Sequence, residues 1–371
     1  MHLQENIDVG IDIDQIAVYL LLFADDAVLI SETREGLQKS LNSLYEYCCK
    51  WKLTVNVEKT KIMVFRKGGR LSNQDKWFYN NEEVEIVSSF NYLGIVFSSG
   101  GSFMQATKTL AGKGLRSLNS LMSLVRNMKV PINIMFNLFD AYVLSVLNYG
   151  CEVWGNINSE VLERVHKKFC KWVLNVKQST NTLALYGELG RFPLYIERNI
   201  RMVKYFLKVN TIKSDNCILN VVLHDQIDSV YRDSNTTNWA SNIRDILQSS
   251  GLNEVWLYPS AVGIDSFVPV LRIRLTDIYV SNRRTGLDSS TALDVFREIK
   301  LYFEQSAYLR YIENTKYRNI LAKFRLSSNK LNIEVGRHNN IPENERKCTL
   351  CNLNDIEDEF HFSLNASYIQ L

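Results

Sequence analysis

A chain of 371 residues, 46% hydrophobic and 22% charged with a net charge of +3, is long enough for two or three globular domains, and its ordinary composition excludes a disordered or fibrous polypeptide. No apolar run reaches the length of a membrane span, and the segment from Met1 to Asp14, acidic and without an apolar stretch, is not a secretory signal. Cys48, Cys49, Cys151, Cys170, Cys217, Cys348 and Cys351 are odd in number and irregular in spacing; they give no disulfide framework and point to a reducing compartment, nucleus or cytoplasm, rather than secretion. Charge is unevenly spread. Residues 1–50 hold nine acids against three bases, and residues 101–180 hold ten bases against four acids. An acidic site followed by a basic body suits a phosphate-rich partner, while scattered solvated lysines would give the same totals.

The stretch from Ile16 to Ile30 reads as a hairpin, two apolar runs that want burial on either side of Asp25-Asp26 at a tight turn. Two acids at the mouth of a hairpin can bind a divalent cation through oxygen, or can simply be solvated turn residues. A helix follows, with Leu37, Leu41, Leu44, Tyr45 and Cys48 on one face and Ser31 or Thr33 as its cap. Trp51 to Val57, Ile62 to Phe65, Trp77 to Tyr79, Val84 to Val87 and Tyr92 to Phe97 read as short strands, with Lys67-Gly68-Gly69 as a turn. Residues 1–100 are therefore expected to form a small mixed sheet with one helix, an α+β pattern. Trp77, Phe78 and Tyr79 could stack on bases or form strand core.

After Ser98-Ser99-Gly100-Gly101 the periodicity becomes helical. Leu115, Leu118, Leu121, Met122 and Val125 form one stripe, and Ile134, Leu138, Val143 and Leu147 form another beyond Pro131. Residues 158–176 make a third helix with Arg164, Lys167, Lys168 and Lys171 at polar positions, the best candidates for contact with a nucleic-acid backbone. His166, in the same helix, reads as a surface residue. Leu185 to Leu194 reads as a boundary and Asp225 to Asn238 as a polar loop, with helical patterns resuming through Val209 and over Leu219–Leu223, Ile243–Leu247, Val270–Tyr279 and Ala292–Phe303. The expected divisions are 1–100, 101–180, 181–340 and 341–371.

Phe23-Ala24-Asp25-Asp26, then Thr54-Val55-Asn56-Val57-Glu58-Lys59-Thr60-Lys61, then Tyr92-Leu93-Gly94 come in an order and spacing that resembles the reverse transcriptases of non-LTR (LINE-type) retrotransposons. Tyr149 to Trp154 and Gly187-Glu188-Leu189-Gly190 look like later segments of such proteins, so the likeness spans nearly the whole chain. The resemblance implies a partial polymerase palm sheet, a mainly α-helical thumb and a helical C-terminal region. It implies RNA-directed DNA synthesis by two-metal nucleotidyl transfer, with an RNA template and a DNA primer as partners and Mg²⁺ as cofactor. Asp25 would bridge the metals, and Asp26 would be a weaker ligand. Lys59 or Lys61 would neutralise the leaving group, Asn56 would lie beside the nucleotide, and Tyr92 and Gly94 would belong to the hairpin that grips the primer. Against these roles, lysines beside strands are commonly solvated and Asn56 could be a turn former.

The family also has an aspartate on an earlier palm strand and a Gln-Gly motif, both farther upstream of Phe23 than Met1. Glu5, Asp8, Asp12 and Asp14 do not match them. The expectation is a chain that cannot extend a primer unaided, or alternatively an inactive transposon-derived remnant that only binds nucleic acid or a protein partner. Nothing in the sequence defines an oligomer or a membrane partner. At the other end, Cys348, Cys351 and His361 resemble part of the family's Cys-Cys-His-Cys zinc knuckle, whose last cysteine would fall near Ala366 or Ser367. Zn²⁺ on three ligands and metal-free thiols both remain open there.

Overall fold

The computed structural model describes residues 10–13, 16–72, 74–157, 159–212, 217–290, 293–351 and 353–365. The chain divides into two compact units, neither continuous in sequence: residues 1–109, 150–158 and 199–268 form one, and residues 110–149, 159–198 and 269–371 the other. The α+β class stands: small antiparallel ladders early, helices throughout the rest.

In the first unit the ladders are β1 (Ile11–Ile13) with β2 (Ile16–Val18), β3 (Leu20–Phe23) with β4 (Asp26–Leu29), β5 (Phe78–Tyr79) with β6 (Glu82–Glu83), and β7 (Ser89–Tyr92) with β8 (Ile95–Ser98). The expected single mixed sheet is thus four separate two-stranded hairpins among the described residues, with one parallel bridge between Ile62 and Ile86. Ile16–Ile30 is not one hairpin, because Ile16–Val18 turns back on Ile11–Ile13 and leaves Leu20–Leu29 to pair with itself. Nor is Tyr92–Phe97 one strand. Leu93 and Gly94, at φ of 47° and 85°, put both central residues of a two-residue loop in the left-handed region, which reverses the chain.

Helix α1 (Arg34–Trp51) starts as expected: the Thr33 side chain accepts from Gly36 N. It runs through Trp51, which had read as the start of a strand. Lys52 then takes a left-handed conformation, and Leu53 N returns to Cys48 O at 2.9 Å, so Leu53–Val57 leaves the helix as irregular chain. The apolar face of α1 packs Leu41 onto Ile62, Trp77, Tyr79 and Val84, and Trp77 Nε1 donates to Arg34 O at 3.0 Å. Of the three aromatics at 77–79, Trp77 and Tyr79 are therefore core; Phe78 points outward.

Helices α2 (Met104–Val125), α3 (Ile132–Phe139), α4 (Glu160–Leu174), α5 (Thr182–Leu189) and α6 (Leu194–Asn210) follow, then α7 (Ile218–Arg232), α8 (Trp239–Ser249), α9 (Ile264–Asp288), α10 (Asp294–Ile299), α11 (Thr315–Arg325) and α12 (Asn332–His338). Pro131 precedes α3 as its cap residue. In the two expected apolar stripes Leu118, Leu121, Val125, Val143 and Leu147 are core, whereas Leu115 and Ile134 are exposed. One stretch contradicts the sequence reading: the polar loop at Asp225–Asn238 is helical through Arg232. Of the stretch Leu185–Leu194, the first five residues belong to helix α5, whose last six residues are all buried, and Gly190 to Pro193 connect it to α6. Gly187 lies inside α5, where the absent side chain admits the Arg283 guanidinium, whereas Gly190, left-handed at φ 64°, ends the helix against the Gln305 backbone. Within the second unit the π stack of Phe139 on Phe169 (4.1 Å, 17°) marks the centre of the core.

Candidate active site and metal ligands

Asp25 and Asp26 sit at the tip of the β3–β4 hairpin. Phe23 pairs with Asp26, so the two-residue loop is Ala24-Asp25 and Asp26 is the first residue of β4. Ala24 has φ 54°, a conformation that costs an L-residue roughly 1–2 kcal/mol and tends to persist where function fixes the backbone. Both acids are exposed, and so is the apolar strand beside them: Leu22 keeps 69% and Phe23 60% of its surface. The expected burial fails for β3, since β3 and β4 pair only with each other among the described residues, while Leu29 of β4 is half-buried against the α1 core.

A two-metal centre needs several carboxylates converging on ions about 3.5–4 Å apart. Among the described residues no group of three His, Cys, Asp or Glu side chains includes Asp25 or Asp26. Asp12 lies in β1 opposite Ala17, and Glu5, Asp8 and Asp14 lie outside the described residues. Two exposed carboxylates on one turn do not fit a pair of Mg²⁺ ions, and no catalytic step is drawn through them.

The remaining polymerase-like positions are engaged locally. Asn56 caps a turn: its Oδ1 accepts from Lys59 N at 3.0 Å, and its carbonyl accepts from Thr60 N at 3.0 Å and Thr60 Oγ1 at 2.8 Å. Lys61 Nζ donates to Glu85 Oε2 at 2.6 Å. Lys59 is exposed, and Tyr92 stands opposite Ile95 across the Leu93-Gly94 turn.

The basic face of α4 is likewise tied to its own unit. Lys167 Nζ donates to Glu160 at 2.9 Å, Lys168 Nζ to Asn119 at 3.0 Å, and Lys171 Nζ to the Gln178 carbonyl. Burial, then the charge of Lys167, holds Lys171 below the ordinary lysine range. Helix α2 and the turn after it are different. Lys108, Lys113, Arg116, Arg126 and Lys129 have no hydrogen-bond or ion-pair partner among the described residues, and residues 86–139 contain no acid. That acid-free run is the sequence signal for a phosphate-facing helix.

His166 is not on the surface. It is fully buried, stacked between Phe139 (5.5 Å) and Tyr186 (5.0 Å), with Nδ1 3.3 Å from Glu163 Oε1. Burial disfavours its charge, but Cys170 and Glu163 outweigh burial and push it up to about 9. Arg191 Nε, however, donates to His166 Nε2 at 3.1 Å and needs a lone pair there. The bonded arrangement is that of the neutral ring with its proton on Nδ1, and a charged ring must turn Arg191 away.

Cys348, Cys351 and His361 are brought together, their ligand atoms within 4.8 Å of one another. A small ladder built on the Lys347–Ile356 bridge carries the pair of cysteines, and Cys348 N donates to Asp355 O at 2.8 Å. Leu350 N donates to Cys348 Sγ at 3.4 Å. A Leu353 N–H bond to Cys351 lowers that thiol; burial, the neighbouring Cys348 and Asp355 leave it above the ordinary thiol range. His361 Nε2 lies 3.2 Å from Cys351 Sγ. Its Nδ1 is buried without a hydrogen bond and lies 3.9 Å from Asp355 Oδ2. Two sulfurs and one imidazole are three donors of the kind zinc takes, with the Asp355 carboxylate behind the ring, so the residues fit that ion with one coordination position left to another ligand. When bound, zinc would tie the Cys-x-x-Cys turn to residues 358–361. Ala366 and Ser367 lie outside the described residues.

Residues 3–97 match the family model described as "Reverse transcriptase (RNA-dependent DNA polymerase)". The chain is also similar to a putative uncharacterized transposon-derived protein of Caenorhabditis elegans, 28% identical over 152 residues that make up 39% of this chain and 51% of that protein. The chain spans about half the length of this curated relative. The matched segment 3–97 includes the Asp25-Asp26 hairpin, the Asn56 turn and the start of the Leu93-Gly94 hairpin's return strand. Among the described residues no helix is long and apolar enough to cross a membrane.

Proposed function

We propose that this chain corresponds to the part of a LINE-type, non-LTR retrotransposon reverse transcriptase that runs from the paired aspartates onward, and that inside the cell it binds nucleic acid without extending a primer unaided. In this reading residues 1–100 are palm-like, 101–180 thumb-like, 181–340 a helical C-terminal region and 341–371 a zinc-knuckle-like tail. The observation that carries it is the order of two hairpins inside the reverse-transcriptase match: one presents Asp25 and Asp26, and the next turns at Leu93-Gly94. Asp25 and Asp26, both exposed at the tip of a single hairpin, support the remnant that only binds over a working polymerase.

The contact with an RNA–DNA duplex is assigned to α2 and the turn after it. A 22-residue helix spans about 33 Å at 1.5 Å per residue, and its free cations can follow a phosphate backbone. Binding should weaken linearly in log salt, with little sequence preference. Arg116→Gln and Arg126→Gln should each lower the salt slope by about 0.9. Primer extension with an RNA template, a DNA primer and Mg²⁺ tests the activity; product above a no-protein control would overturn the reading, and so would binding that ignores salt.

A further inference from the structure

An open cleft of about 810 Å³ lies on the outer face of α1, bounded by β5 and the Asn80-Asn81 turn. Its volume suits a small planar ligand. One wall is fixed by Gln38. Its Nε2 donates to Phe78 O at 2.8 Å while its Oε1 accepts from Phe78 N at 2.9 Å, so the carboxamide occupies the edge of β5 as a neighbouring strand would. Strand addition at that position is thereby blocked. The same Nε2 donates to Asn42 Oδ1 at 2.9 Å, which orients the Asn42 amide and leaves its NH₂ end for the cleft.

On the other side Asn80 and Asn81 hold φ of 48° and 64°, and their amide groups make no side-chain hydrogen bond among the described residues. Tyr45 and Phe78 supply ring surface, with Phe78 40% exposed. The charges at the rim cancel: Arg34 and Lys76 against Glu35 and Glu46, with Lys76 also paired to Glu83 at 3.2 Å. A cleft with no net field has little hold on a phosphate chain. Amides beside an exposed ring suit an uncharged planar group with donors and acceptors on its edge.

We propose that this cleft takes an unpaired adenine of a single-stranded nucleic acid, stacked against Phe78 and read by Asn42 and the Asn80-Asn81 turn. The Asn42 NH₂ can donate to N7 of adenine and an amide oxygen of the Asn80-Asn81 turn can accept from its N6, a donor and acceptor shared between two elements, and unstacked bases are commonly held on aromatic side chains. The proposal rests on the nucleic-acid-binding reading but concerns a different surface from α2.

The test is fluorescence anisotropy of the full chain with oligo(A), oligo(U) and oligo(C) of equal length. The expected result is a preference for oligo(A) of about tenfold, a gain typical of one stacked and hydrogen-bonded base. Asn42→Ala and Phe78→Leu should each remove most of that preference with unchanged circular dichroism and melting temperature. Arg116→Gln should weaken all three oligonucleotides alike and leave the ratio intact. Equal affinity for the three in the native chain, or a preference that survives both cleft variants, would overturn the adenine site alone. Absence of binding to any oligonucleotide at low salt would overturn the nucleic-acid reading as well.

Discussion

Glu188 is fully buried, and Arg325, far along the chain, donates Nε to its Oε1 at 2.6 Å and Nη2 to its Oε2 at 3.2 Å. Ser306 Oγ reaches the same Oε2 at 2.9 Å, and Ser306 N donates to the Glu188 carbonyl at 3.0 Å. One carboxylate on α5 thus ties residues 305–306 and α11 into the second unit. Breaking such a pair from one side leaves an uncompensated buried charge and costs about 3–5 kcal/mol. Glu188→Gln, which keeps the shape, should lower stability by about that amount in urea melts. Glu188→Gln combined with Arg325→Met should recover part of the loss. A single-variant cost below about 1 kcal/mol would show that the pair is solvated.

Two glycines of α2, two positions apart, should respond to alanine with opposite sign. A Cβ at Gly112 would have only Arg116 Nη1 near it, at 3.9 Å, so Gly112→Ala should gain about 0.5–1 kcal/mol from helix propensity. A Cβ at Gly114 would lie 2.3 Å from Leu147 Cδ2 and 2.9 Å from its Cγ, a side chain that is itself fully buried. Gly114→Ala should therefore cost about 1–3 kcal/mol through overpacking. Thermal melts of the two variants decide it. Equal shifts of one sign would mean that α2 does not pack through Gly114.

The same contrast explains what could be read in advance. The α1 stripe and its Thr33 cap, the turn at Asp25 and the convergence of Cys348, Cys351 and His361 are local patterns, and local patterns were legible. Helix α5 was not, because Gly187 looks like a breaker until Arg283, about a hundred residues away, is seen to lie against it. His166 looked exposed because its sequence neighbours are basic, whereas Phe139, Tyr186 and Arg191 come to it from elsewhere. The α4 lysines looked free for the same reason: apart from Glu160, their partners Asn119 and Gln178 lie outside the helix. The burial expected of β3 failed in the other direction, since an apolar composition promises a strand that wants cover but not the partner that covers it.

Glu163 gives a dependence on pH whose sign follows from its surroundings. Burial pushes its carboxyl up. The hydrogen bonds from His166 Nδ1, the Tyr186 hydroxyl and Leu194 N at 3.0 Å outweigh burial and hold it below the ordinary range. A depressed carboxyl contributes stability that is present above its unfolded value of about 4.5 and is lost as pH falls through the lower folded value. Melting temperature followed from pH 6 downward should fall below about pH 4.5, and in Glu163→Gln the fall should be shallower from a lower starting point. An unchanged acid limb in the variant would remove Glu163 from the account.

The cysteine–histidine cluster should hold one zinc ion per chain. Two thiolates and a neutral Nε2 gathered within 4.8 Å of one another can close onto one ion with a small shift of side chains, and zinc takes this mixture of sulfur and imidazole. Asp355 stands 3.9 Å behind His361 Nδ1, whose hydrogen-bonding capacity is otherwise unused, and a carboxylate there fixes the ring and raises its basicity. Metal analysis after purification without chelator should find zinc, and a competition assay with a chromogenic chelator should give its affinity. Cys351→Ala and His361→Ala should abolish binding. Asp355→Asn, which leaves all three ligands in place, should weaken it by about 10–100-fold. Loss of zinc should also lower the melting temperature, because metal-binding free energy is folding free energy for a small ligand loop. If the native chain takes up no zinc from excess ZnCl₂, the cluster is a pair of packed thiols beside a histidine; if Asp355→Asn binds as tightly as the native chain, Asp355 has no part in holding the ring.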